Sequence, residues 1–97
     1  MIEYHEIKLK NGKIHAVQVN SLNVPLIILS ASNGFVMCGY LDMHVANKLG
    51  DIAAKVTGVK TIQSALDSII VELSDEAKKF IVEIGMSARN FLNAIMK

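Results

Sequence analysis

Hydrophobic and polar residues alternate along the first part of the chain and then switch to a helical spacing. Residues 2–9 and 13–20 read as strands around Lys10-Asn11-Gly12-Lys13. Asn-Gly suits a type I′ turn, whose two central residues both need positive φ. With Asn11 and Gly12 as the loop, Leu9 is expected opposite Ile14, Ile7 opposite Ala16, Tyr4 opposite Val19 and Glu6 opposite Val17. The apolar face then changes part-way along, which implies a bulge or a change of covering layer. Residues 25–32 and 35–40 flank Asn33-Gly34 in the same way, with Leu29 expected opposite Cys38 and Ala31 opposite Val36. Both faces of this second hairpin are apolar, which places it centrally with cover on both sides.

After residue 40 the period lengthens. Asp42 can cap a short helix over 43–49, with Gly50 just beyond its end. Residues 52–57 fit either a continuation of that helix or a strand, and Gly50 favours the strand, since glycine inside a helix costs about 1 kcal/mol against alanine. Thr61 can cap a helix through Leu66, and 69–73 alternate as a short strand. Ser74 with Asp75 and Glu76 predicts a helix to Ile84 that buries Ala77, Phe80, Ile81 and Ile84. Ser87 opens a last helix that buries Phe91, Leu92 and Ile95. The expected architecture is a single α+β domain over 1–97. Two N-terminal hairpins and a βαβ-like segment form a mixed β-sheet, and C-terminal helices pack on it.

Composition narrows the partners. The 97 residues are 52% hydrophobic and 20% charged, with a mean hydropathy of +0.38. That is rich for a domain so small, where much surface stays exposed, and a homo-oligomer is the natural place for the excess. A net charge of +1 lacks the basic surplus of a dedicated nucleic-acid binder, so nucleic acid is disfavoured. No apolar run approaches the roughly 20 residues of a membrane span. The N-terminus lacks the pattern of a signal peptide, and the single cysteine has no internal partner; a cytoplasmic location is expected.

If 35–40, 43–49 and 52–57 form a βαβ unit, Cys38-Gly39-Tyr40-Leu41-Asp42 and Gly58-Val59-Lys60-Thr61 meet at one sheet edge. Open sheets collect ligands outside the carboxyl ends of parallel strands, and helix N-termini attract anions. Lys60 would add positive charge, and Gly39 and Gly58 would allow close backbone approach. Cys38 and Asp42 are the only candidates for reactivity. Cys38 precedes a helix start and could act as a nucleophile, or it is simply a small core residue. Asp42 could act as a general base or serve only as a helix cap. Arg89 in the first turn of the last helix opposes the helix dipole, which suggests a ligand or a carboxylate such as Asp42 to hold it. The three histidines lack metal-site spacing, so no metal is expected, and no glycine pattern indicates a cofactor.

The order Met37-Cys38-Gly39-x-Leu41-Asp42, Gly58-Val59-Lys60-Thr61 and Gly85-Met86-Ser87-x-Arg89 resembles the YunC-like family of small bacterial and archaeal domains of unknown function. The resemblance covers about residues 24 to 97. It implies a compact α+β domain in a prokaryotic setting and carries no activity, substrate or cofactor. Relatives often have arginine where Lys60 stands and glycine where Ala88 stands. Together these readings give a small-ligand or anion-binding domain built on Cys38, Gly39, Asp42, Gly58, Lys60 and Arg89. Whether it is an enzyme stays open. The alternative is a non-enzymatic, homo-oligomeric assembly domain.

Overall fold

The computed structural model describes residues 1–20 and 23–97. In chain order the elements are β1 (Ile2–Leu9), β2 (Gly12–Val19), β3 (Leu26–Ser30), β4 (Phe35–Met37), α1 (Met43–Leu49), β5 (Ala53–Lys55), α2 (Ile62–Asp67), β6 (Glu72–Leu73), a 3-10 turn (Ala77–Lys79) and α3 (Ala88–Met96). The strands form one six-stranded mixed sheet in sequential order. Every pair is antiparallel except β4 and β5, which run parallel through the crossover helix α1. The α+β architecture matches the sequence reading, and within 52–57 the three residues Ala53–Lys55 form the strand β5.

Both hairpins are present, but their registers differ from the Asn-Gly expectation. Leu9 pairs with Gly12 and Ile7 with Ile14, so Lys10-Asn11 form the first loop. In the second hairpin Leu29 pairs with Val36 and the Ala31 N–H reaches the Gly34 carbonyl at 2.8 Å. Neither asparagine nor either of these glycines adopts positive φ. The glycines serve close approach instead. A Cβ on Gly34 would lie 2.6 Å from the Ile52 carbonyl oxygen and 2.8 Å from Ile95, and one on Gly12 would lie 3.0 Å from the Met96 sulfur. Each asparagine turns its side chain onto α3. The Asn11 Nδ2 donates to the Asn93 carbonyl at 2.8 Å, and the Asn33 Nδ2 to the Ile95 carbonyl at 2.6 Å. These carbonyls belong to the last helical turn, which has no intrahelical donors. Tertiary docking of α3 therefore overrides the local turn preference.

One face of the sheet carries Leu9, Ile14, Ala16, Ile27, Leu29, Val36 and Ala54. It is sealed by α2 and α3 through Leu66, Phe91, Leu92 and Ile95, all nearly inaccessible to solvent. The other face is covered only over β4 and β5, where Met43 and Ala46 of α1 pack on Met37 and Ala53. The first hairpin has no bulge, and its apolar face changes without a second covering layer: Ile7, Leu9, Ile14 and Ala16 face α2 and α3, whereas Ile2, Tyr4, Val17 and Val19 lie on the opposite face. The second hairpin is central, but β3 is covered on one side only.

The helix predicted after Ser74 is absent. A single 3-10 turn forms, and Ile81 and Ile84 are exposed rather than buried. Ser74 is fully buried, and its hydroxyl accepts from the Ala53 and Ala77 N–H groups and donates to the Asp51 carbonyl. It is a cross-strand fastener for β5. At Gly85 and Met86 the chain is pinned again, because Gly85 donates to the Ile70 carbonyl and Ile70 to that of Met86, both within 2.9 Å. Between these fixed ends residues 80–86 run as bends and a turn, the Val82 N–H reaching the Phe80 carbonyl and the Met86 N–H that of Glu83.

Candidate functional site

β4 and β5 end side by side because they run parallel, and the loops that leave them turn toward α1 and α2. Between these loops and the approach to β3 lies a cavity of about 310 Å³. Cys38, Gly39 and Tyr40 line it from the end of β4, and Gly58, Val59 and Lys60 from the end of β5. Val24 and Pro25 close the third side. The walls are mainly apolar; among the described residues no carboxylate lines the cavity, and Lys60 is the one cationic side chain there, exposed at the rim. No protein atom crowds the Cβ positions of Gly39 or Gly58. Two of the three sequence blocks thus meet at one edge.

Cys38 sits at the floor. It is only 3% exposed, and its sulfur accepts the Ile27 N–H at 3.3 Å. That N–H belongs to β3 one step beyond the last paired residues of the β3–β4 ladder. The thiol therefore satisfies a backbone donor that the shortened ladder leaves over. Among the described residues no histidine or carboxylate lines the cavity to activate it.

The helix starts that were expected to offer free N–H groups are already occupied. Asp42 Oδ1 accepts the His44 N–H at 2.8 Å. Thr61 and Ser64 form a reciprocal capping box, and Ser64 Oγ also accepts the Lys60 N–H at 3.3 Å. Such caps satisfy the donors that an anion would otherwise use. Charge at this edge is thus left to the Lys60 ammonium. Asp42 lies outside the cavity, in a separate shallow depression beside α1. Arg89 is also elsewhere. Its guanidinium bonds Asp67 at 3.3 Å, so the carboxylate it was expected to need belongs to α2 rather than to Asp42. The Gln63 amide, then Arg89, hold the Asp67 carboxyl below its ordinary range. The third block serves the fold instead: Ser87 caps α3 and bridges to Ile69.

Val24, Pro25, Tyr40 and Val59 were not singled out from the sequence. Tyr40 and Val59 lie inside the two quoted blocks, so adjacency was their available signal. Val24 and Pro25 carried none, because which loop faces the end of β4 depends on the sheet order.

The family model of a domain of unknown function, DUF1805, matches residues 37–95. The chain belongs to this family. The DUF1805 match begins at the last residue of β4 and runs into α3, so it takes in most of the cavity wall but not β1–β3. Similarity extends further in individual relatives. The uncharacterized protein YunC of Bacillus subtilis is 28% identical over the full length of both chains. The crystal structure of a protein of unknown function, TA1206 from Thermoplasma acidophilum, superposes with a TM-score of 0.91 at 36% identity. That superposition covers 96% of this chain and 91% of the other. Among the described residues, no helix is long and apolar enough to cross a membrane.

Proposed function

We propose that this DUF1805 domain binds a small ligand with an apolar body and one anionic group, in the cavity at the carboxyl ends of β4 and β5. The observation that carries this reading is the joining of two separated sequence blocks around one cavity of about 310 Å³. That volume is at the lower end of small-molecule sites. Val24, Pro25, Val59 and the Tyr40 ring suit an apolar body, and Lys60 suits a carboxylate or phosphate at the rim. Binding without covalent chemistry fits Cys38 best, since its sulfur is engaged by Ile27 and has no neighbouring base. One unpaired thiol is also in keeping with a reducing, cytoplasmic setting.

Benzoate, phenyl phosphate and the neutral control benzamide test the reading by NMR titration. The two anions are expected to shift the amide signals of Gly39, Gly58 and Lys60, with benzamide binding more weakly. Lys60→Ala should reduce anion affinity by roughly 3- to 10-fold, as expected for one exposed charge-assisted contact. Shifts spread over the surface, or absent from these residues, would remove the proposal.

A further inference from the structure

The sheet face opposite α2 and α3 is only half covered. Over β4 and β5 it is sealed by α1, whereas over β1, β2 and β3 no helix among the described residues packs on it. Register places two cross-strand rows there, Ile2–Val19–Leu26 and Tyr4–Val17–Ile28. All six side chains are apolar or aromatic and share one face. Ile2 is 69% exposed and Tyr4 55%, while the other four are half-buried, Leu26 also touching the main core at the edge of the sheet. The next two rows are polar, with Glu6, His15 and Ser30 and then Lys8 and Lys13. The patch thus has an apolar centre and a charged rim on one side.

We propose that a second copy of this chain covers this face, forming a two-fold symmetric dimer through the two apolar rows. Size supports the choice of occupant. The two rows form one contiguous apolar patch, on the order of the 300–600 Å² of the largest, often functional, patches on monomers. A standard interface takes about 800 Å² from each partner, a little over half of it apolar. Two such patches therefore supply most of the apolar core of a dimer. Charge supports it too. The rim carries Glu6 together with Lys8 and Lys13, and Lys13 already lies 3.3 Å from Glu6 within one copy. A rim with both signs meets its own two-fold image without a like-charge field, whereas it offers nothing selective to a strongly acidic or basic partner. An aligned packing of two such sheet faces, about 10 Å apart, is the geometry of a β-sandwich.

Sedimentation velocity on the full chain and on the double variant Ile2→Lys, Tyr4→Lys tests the proposal. Both positions are exposed, so the fold should persist, and a far-ultraviolet circular dichroism melt checks that it does. The native chain is expected at twice the 10.6 kDa chain mass. The variant is expected as a monomer, with dimer affinity lowered at least roughly 100-fold, as for loss of a central interface anchor. A chain that stays monomeric to about 1 mM would overturn the proposal. So would a dimer that the double variant leaves intact, since another surface would then hold it. Neither position lines the ligand cavity, so the benzoate titration on the same variant reports on that site separately.

Discussion

Ser74 shows how much one hydroxyl can hold. It is fully buried and joins three backbone groups, from Asp51, Ala53 and Ala77. Ser74→Ala would strand the Ala53 N–H and the Asp51 carbonyl beside the parallel strand pair, and each orphaned buried group costs about 1–3 kcal/mol. A loss of about 3 kcal/mol in urea denaturation is expected; a loss below about 0.5 kcal/mol would mean that water replaces the hydroxyl there. Cys38 offers a second measurement. With its sulfur buried against the Ile27 N–H, alkylation of the native protein should be slow and become fast only on denaturation. Rapid native alkylation would reopen the nucleophile reading. Asp67 sets a pH dependence. Its folded carboxyl is held below the ordinary 3.8 by Gln63 and Arg89, so its contribution is present above that value and lost as pH falls through the lower folded value. Asp67→Asn should therefore be slightly less stable than the native chain near neutral pH, and the gap should close in acid. An equal gap at both pH values would show that the carboxylate charge plays no part.

At the scale of elements, α3 depends on the two hairpin tips. Asn11 and Asn33 donate to the carbonyls of Asn93 and Ile95, and Asn93 in turn accepts the Asn11 N–H at 2.9 Å. Asn11→Ala and Asn33→Ala should each cost about 1 kcal/mol, the usual worth of one such hydrogen bond. Faster amide exchange should accompany each loss, in α3 and in the strands next to the altered tip, β1 and β2 for Asn11 and β3 and β4 for Asn33. Gly34→Ala should cost more, about 2–3 kcal/mol, because its Cβ collides with the Ile52 backbone and Ile95. If Gly34→Ala were neutral, the docking of α3 on this hairpin would be looser than its geometry implies. The same contacts mark the limit of legibility. Asn-Gly located both hairpins, yet placed both registers wrongly, because the partner that fixes each turn lies some sixty or more residues away. Local chemistry sufficed where the cap is local: Asp42, Thr61 and Ser87 start their helices as read. It failed after Ser74, whose hydroxyl accepts the Ala77 N–H as a cap would but is shared with β5, and only one 3-10 turn follows.

At the scale of the molecule, the sheet has one complete layer of helices and one partial layer. The candidate cavity was legible in outline because a parallel βαβ unit must bring its two exits to the same edge, which the glycine and cysteine blocks marked. Arg89 and Asp42 could not be placed from sequence, since their neighbours depend on how α2, α3 and α1 divide between the two faces. The uncovered face was legible only as surplus hydrophobicity; its location required the corrected register that aligns Ile2, Val19 and Leu26. A dimer on that face has a thermodynamic consequence beyond mass. Folding would then be linked to association, so the melting temperature must rise with protein concentration. A 100-fold increase in concentration contributes about 2.7 kcal/mol per dimer. Set against the unfolding entropy of two chains of this length, that corresponds to a rise of roughly 5–7 °C. The double variant Ile2→Lys, Tyr4→Lys should melt at a concentration-independent temperature while still binding benzoate at the other site. If the native chain also melted independently of concentration, the two apolar rows would be left facing water, and their presence would call for a different partner.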